Sequence, residues 1–180
     1  MTKYYTGKGD DGTTGILSSH RVRKTDALIE AIGDLDELNS AIGVALLYVN
    51  DKGVSKTLRS VQSDLFVLGA NLASTEGQRI GKTQIKETAL KGLEAGIAEL
   101  DGKTPELKEF VLPGGSVASA HVHLARAVAR RTERRVLAAG KGYKIDAMTI
   151  AYLNRLSSYL FAAAMYLNAK EKVDELHPKY

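Results

Sequence analysis

Between Lys24 and Lys170, apolar residues return at three- and four-residue steps in five separate runs, the period of a helix that hides one face. The first extends from Lys24 to about Val49 through Leu28, Ile32, Leu35, Ile42 and Leu46. The second uses Leu58, Val61, Leu65, Leu68 and Leu72, and a sparser third uses Ile85, Leu90, Leu93, Ile97 and Leu100. The fourth covers Ser116 to Ala139, and the fifth Asp146 to Lys170 through Ile150, Leu153, Leu160, Ala164 and Leu167. Breaks fall at Asn50 to Gly53, Glu76 to Lys82, Gly102 to Gly115 and Gly140 to Tyr143, each with glycine. No alternating run is long enough for a sheet, and no internal repeat is evident. Long helices with short connections predict an all-α, five-helix antiparallel bundle. A chain of 180 residues suits one domain, able to bury roughly 70% of its unfolded surface. Its expected parts are an opening loop 1–23, a bundle 24–170 and a tail 171–180.

Composition narrows the function classes. The chain has no cysteine, which excludes disulfides, zinc thiolates and thiol nucleophiles and fits a reducing compartment. No apolar stretch approaches a membrane span, and Met1-Thr2-Lys3-Tyr4-Tyr5 has no signal-peptide run, so a cytoplasmic location is expected. A net charge of +4 and a pI of about 9.2 suit an anionic small molecule. They fall short of the dense basic stripe of a nucleic-acid binder, and the eight tyrosines and three phenylalanines are scattered.

Two segments carry polyphosphate chemistry. The opening, Thr6-Gly7-Lys8-Gly9-Asp10-Asp11-Gly12-Thr13-Thr14-Gly15, is rich in glycine and hydroxyls. Glycines let backbone N–H groups converge on an anion. It matches G-x-G-x-x-G literally, but no buried strand precedes it and no helix opens at its last glycine, so it is not a dinucleotide fingerprint. It also lacks the Gly-Lys-Ser/Thr ending of a P-loop. A mobile tail rich in turn residues is the plainer alternative.

The second segment is the fourth helix, with Arg126, Arg130, Arg131, Glu133, Arg134 and Arg135. On a helical wheel Glu133, Arg126, Arg130, His123 and Arg134 share an arc of about 100°, a polar stripe about 12 Å long from Arg126 to Arg134. Val117, Leu124 and Val128 form one apolar face, and Val122, Ala125, Ala129 and Val136 another, so the helix is expected to make contact on two sides. Arg131 and Arg135 fall beside the first face and require partners or a route to solvent. A solvated face with surface ion pairs is the alternative. Arginines pinned between apolar faces instead demand counter-charges, from an anionic ligand or another helix.

Helix one offers Asp34, Asp36, Glu37 and Asn39. Measured from Leu28, Asn39 and Asp36 lie on or beside the apolar stripe and Asp34 points away. Asp36 is thus the expected partner for an arginine of helix four, with a helix-surface charge as the alternative. No Glu-x-x-His pair of a di-iron bundle occurs. His121 and His123, two apart, do not share a face as metal ligands and are expected in core or at surface. No nucleophilic triad is visible.

Five blocks in order carry a resemblance: Tyr5 to Thr14; Gly33-Asp34-Leu35-Asp36-Glu37-Leu38-Asn39; Phe110-Val111-Leu112-Pro113-Gly114-Gly115; Arg130-Arg131-Thr132-Glu133-Arg134-Arg135; and Tyr152-Leu153-Asn154-Arg155-Leu156-Ser157. Together they resemble the PduO-type ATP:cob(I)alamin adenosyltransferases, over nearly the whole chain. Val111 stands where isoleucine is commoner and Thr132 where alanine is frequent.

The resemblance implies a homotrimer of five-helix bundles with ATP between adjacent subunits, and transfer of the 5′-deoxyadenosyl group of ATP to cob(I)alamin. The nucleophile is then Co(I) itself, and no side-chain nucleophile is needed. For ATP it implies Thr6, Gly7, Lys8, Gly9, Thr14, Gly15 and Lys24, the stretch Arg130, Arg131, Thr132, Glu133 and Arg134, and Asn154. Arg126 resembles the arginine that pairs across subunits with Asp36, and Arg130 the one on the triphosphate. Phe110 matches the phenylalanine that excludes the lower axial ligand of cobalt; a core phenylalanine is its plainer reading. Magnesium on the polyphosphate is implied, with no metal site built by the protein. A reductase supplying the electron for Co(I) and a cobalamin-dependent enzyme taking the product are implied partners. Two rivals remain: a non-catalytic ATP-sensing bundle without corrinoid, and a basic module whose nucleic-acid binding falls steeply with salt.

Overall fold

A computed structural model of the chain describes residues 4–17, 21–74 and 84–179. The expected break from Glu76 to Lys82, and the first three residues, lie outside the described residues. Five helices are present among them: α1 Ala27–Leu46, α2 Lys52–Ala73, α3 Glu87–Asp101, α4 Val117–Ala139 and α5 Ala147–Glu171. Four start on a side-chain cap. Asp26, Asp51, Ser116 and Asp146 accept from the N–H groups of Leu28, Val54, Ser119 and Met148, each cap stabilising its helix by about 1 kcal/mol. The cap at Asp26 moves the start of α1 from Lys24 to Ala27. Lys24 belongs to the loop before it, where its N–H donates to the Gly12 carbonyl at 2.9 Å.

Cross-helix bonds give the directions. Asn39 of α1 and Gln62 of α2 each donate a side-chain amide to the other's carbonyl at 3.2 Å. Thr132 of α4 donates to the Asp34 carbonyl of α1, and Asn154 of α5 donates to Glu133 of α4. With Tyr48, two residues past the end of α1, stacked on His121 of α4, α1 runs antiparallel to α4. The α3–α5 pair differs from a purely antiparallel reading: Glu94 meets Arg155 and Gly96 lies against Tyr159, so these two helices run the same way. That follows from an up-down chain of five, in which odd-numbered helices share a direction. Tyr152 and Tyr166 of α5 cross the gap to α2, donating to Asp64 at 2.8 Å and Asp51 at 3.1 Å. The core between them is Leu28, Leu38, Leu58, Leu68, Val122, Leu156 and Leu160, all buried.

The absence of any sheet is an expectation the structure corrects. β1 (Thr13–Gly15) and β2 (Arg21–Arg23) form an antiparallel hairpin with Thr13 opposite Arg23. Three residues per strand are too few to leave an alternating pattern.

The α3–α4 connection is fastened at its end. Asn168 of α5 accepts from Ser116 N–H at 2.9 Å and donates to the Gly114 carbonyl. Gly115 sits at φ +92°, and a Cβ there would fall 2.3 Å from Asn168. Gly115→Ala is therefore expected to destabilise the fold by about 2 kcal/mol or more, through both backbone strain and the lost Asn168 bonds. Thermal unfolding checks it, and a midpoint within a degree of wild type would overturn it.

Candidate functional site

The opening loop is ordered by its own polar groups. Asp11 accepts from the N–H and hydroxyl of Thr13 at 2.9 and 2.8 Å, and these bonds hold its carboxyl below the usual range. Arg21 threads the loop, donating to Thr13 Oγ1 and to the carbonyls of Thr13 and Lys8. Sequence reasoning missed Arg21; its signal was the basic run Arg21, Arg23, Lys24, beginning six residues after Gly15. The Lys24 ammonium folds over Gly9, where a Cβ would come within 3.2 Å of Nζ. Gly7, Lys8, Gly9, Thr14 and Gly15 thus share one small unit with Lys24, and Thr6 Oγ1 accepts from Lys8 N–H at 3.4 Å. Leu17 N–H donates to the Ala73 carbonyl and ties this unit to the end of α2.

Helix α4 divides its arginines into two sets. Arg131 and Arg135 face α1. Arg131 approaches Asp34 at 3.4 Å and pairs with Glu37, and Arg135 approaches Asp34 at 3.9 Å and Glu30 at 3.9 Å. The demand for partners is met here, but by Asp34 and not by Asp36, which is exposed and pairs with no cation among the described residues. Asp34, expected to point away from the stripe, is thus the aspartate that α4 meets within the protomer. Leu28 lies at one edge of the buried stripe and was a poor origin; the stripe's centre sits about 45° away, toward Asp34. Thr132 is fully buried and its hydroxyl donates to the Val128 and Asp34 carbonyls. Its side chain is committed to the α1–α4 seam and is not offered to a ligand.

Arg126 and Arg130 form the other set. One helical turn apart, they border a cavity of about 630 Å³ with Ile97, Leu107, Ser157, Phe161 and Met165. Neither makes an ion pair among the described residues. Arg126 instead lies over the Phe161 ring, 5.0 Å from its centroid, a contact worth about 1 kcal/mol. Burial first, and then the neighbouring Arg130 charge, lower the Arg126 pKa. Two like charges held together this way call for a counter-charge. Phe161 is a second residue that sequence reasoning missed, one aromatic followed by Ala162, Ala163 and Ala164 with no sign of its cationic neighbour. Arg134 is exposed with no ion pair among the described residues, and Glu133 accepts from Asn154 at 3.1 Å, which joins two of the expected site residues.

Phe110 does not enter the core: it is 81% exposed, so the packing explanation fails within the protomer. It borders a second cavity, of about 470 Å³, with Val111, His123, Arg126 and Phe161. Leu107, Arg126 and Phe161 border both cavities, so the arginine pair and Phe110 line adjoining cavities. The tail fixes the Phe110 backbone from outside: His177 Nδ1 lies 2.9 Å from its carbonyl, and Leu112 N–H donates to the Leu176 carbonyl at 2.7 Å. The opening loop, by contrast, makes no hydrogen bond or ion pair to Arg126, Arg130 or Phe110 among the described residues.

No helix among the described residues is long and apolar enough to cross a membrane. The model of the cobalamin adenosyltransferase family matches residues 4–167. The chain is 38% identical over 178 residues to the corrinoid adenosyltransferase of Bacillus subtilis, covering 97% of this chain and 91% of that protein. It is 41% identical over 173 residues to that of Mycobacterium bovis, covering 93% and 90%. Among solved structures, a variant PduO-type ATP:corrinoid adenosyltransferase from Lactobacillus reuteri, complexed with cobalamin and ATP, superposes with a TM-score of 0.93. That match is 32% identical and covers 99% of this chain and 100% of the other. With sequence and fold matched from end to end, the chain belongs to the cobalamin adenosyltransferase family.

Proposed function

We propose that this enzyme transfers the 5′-deoxyadenosyl group of ATP to the Co(I) centre of cob(I)alamin, giving adenosylcobalamin and tripolyphosphate. The observation that carries this reading is Arg126 and Arg130, two unpaired cations bordering one cavity with Phe110 next door. In the reaction the cobalt electron pair forms the Co–C5′ bond as C5′–O5′ breaks, and that bond's pair leaves on the triphosphate. No proton moves, and none of the described side chains need act as nucleophile. The protein's task is alignment of C5′ with cobalt and stabilisation of charge growing on the leaving group.

ATP then lies at a subunit seam in a homotrimer. Thr6, Gly7, Lys8, Gly9, Thr14, Gly15 and Lys24 of one chain meet Arg130, Arg131, Glu133, Arg134 and Asn154 of its neighbour. Two features support a seam: among the described residues the loop does not reach the arginines of its own chain, and apolar side chains are exposed at Leu47 and Tyr48 just past α1 and at Val117 and Leu124 on α4. Magnesium would arrive on the ATP phosphates, supplying charge neutralisation there. No cluster of three His, Asp or Glu residues that could cage a metal occurs among the described residues, which fits an ion held by phosphate and water.

The test is incubation with ATP and chemically reduced cobalamin. Adenosylcobalamin and tripolyphosphate are expected in equal amounts; ATP binding without adenosylcobalamin would make the protein a nucleotide sensor and overturn the proposal. The seam has its own prediction. Asp36→Ala, which removes an exposed carboxylate with no partner among the described residues, is expected to weaken the trimer and raise the KM for ATP about tenfold. Analytical ultracentrifugation and steady-state kinetics check it; an unaltered trimer with unaltered ATP affinity would remove the Asp36–Arg126 pairing across subunits.

A further inference from the structure

His123 points inward from α4, is 4% exposed, and has no hydrogen-bond partner on either ring nitrogen. Leaving both nitrogens of a buried imidazole unmet is costly, so the site calls for a polar group from elsewhere. One turn earlier on the same helix, the Ser119 hydroxyl is also buried and unpartnered. The ring stands edge-on to Phe161, with centroids 6.0 Å apart and planes at 64°. It borders the cavity shared by Phe110, Val111 and Arg126. We infer that His123 is a corrinoid-binding residue, whose imidazole exchanges hydrogen bonds with a peripheral carboxamide of the corrin ring. The inference rests on the adenosyl-transfer reading above.

The chemistry matches in both directions. Burial, and after it the Arg126 guanidinium, push the His123 pKa down, so the ring is neutral and carries one N–H donor and one bare acceptor nitrogen. A primary carboxamide supplies an acceptor oxygen and two N–H donors, and cobalamin is edged with such groups. The triphosphate of ATP, which only accepts, cannot meet both nitrogens and suits the arginine pair instead. Phe161 contacts both groups, with the imidazole edge-on to its ring and the Arg126 guanidinium over its face.

The experiment compares wild type, His123→Phe and His123→Gln, starting from cob(I)alamin with both substrates varied. His123→Phe keeps the ring and removes the polar atoms. It is expected to raise the KM for cobalamin about tenfold, with kcat within about twofold and the KM for ATP unchanged, the loss due to one paired donor and acceptor. His123→Gln, which restores an amide donor and acceptor, is expected to recover part of the loss. An unchanged cobalamin KM in His123→Phe overturns the inference, as does an equal rise for both substrates, which marks a purely structural role. Electron paramagnetic resonance of bound cob(II)alamin gives a further readout. Nitrogen hyperfine splitting that disappears in His123→Phe would make His123 an axial cobalt ligand and overturn the carboxamide contact. Failure of wild type to form adenosylcobalamin would instead remove the underlying reading, so the two failures are distinct.

Discussion

Arg130→Ala is expected to lower kcat by about 10²–10³-fold at saturating ATP and cob(I)alamin, the scale for loss of one preorganised stabiliser of developing charge. The side chain is exposed, carries no ion pair among the described residues and borders the larger cavity. Its removal should therefore leave thermal stability nearly unchanged. That separation makes the measurement clean: single-turnover formation of adenosylcobalamin reports the chemical step, and a melting curve reports the fold. Arg130→Lys keeps the charge but gives up the planar fork, and should fall between wild type and alanine. Arg131→Ala is the informative contrast, because Asp34 and Glu37 already hold that guanidinium within the protomer. It should cost less turnover and more stability. A near-normal kcat in Arg130→Ala would detach the triphosphate from this arginine pair.

The helices were legible because each carries its own period. Leu58, Val61, Leu65, Leu68 and Leu72 are buried in α2, and glycine or a charged turn closes each run that the structure describes. What a wheel could not supply was its own origin. Choosing Leu28 tilted the face of α1 enough to exchange Asp34 and Asp36, since one helical residue is about 100° and two carboxylates two apart straddle the boundary. The hairpin was illegible for a different reason: its pairing depends on Arg21 reaching back to Thr13 and Lys8, a contact between residues rather than a pattern within either strand.

The candidate site was legible as chemistry but not as geometry. Sequence alone set glycines and arginines apart as the two halves of a polyphosphate site, and named Arg126 as a charge in need of a partner. It could not tell that within its own chain Arg126 rests on Phe161, because a cation over a ring leaves no trace in spacing. Nor could it separate the arginines already satisfied by α1 from those that remain open, a distinction that depends on which side of α4 meets its neighbour. The same division explains why Thr132, inside the arginine block, packs rather than binds.

Phe110→Ala is expected to slow the reaction that begins with cob(II)alamin and a reductant at least tenfold more than the reaction that begins with cob(I)alamin, each tenfold being about 1.4 kcal/mol of barrier. A lower axial ligand donates electron density into the cobalt orbital that must accept the incoming electron, so losing that ligand eases reduction. An apolar ring can occupy its position, offer no lone pair and keep water away. Once Co(I) has formed, the metal has no use for a lower ligand, and the ring matters less. The geometry makes the test selective. Phe110 is 81% exposed, so truncation opens no core cavity, and stability should change by no more than about 0.5 kcal/mol. Its backbone is held by His177 and, two residues on, by the Leu176–Leu112 bond, both of which survive the substitution. The loop therefore keeps its course while the cavity wall loses its ring. Equal losses from the two starting states would mean that Phe110 only shapes the pocket, and the exclusion of the axial ligand would have to come from another residue along the same wall.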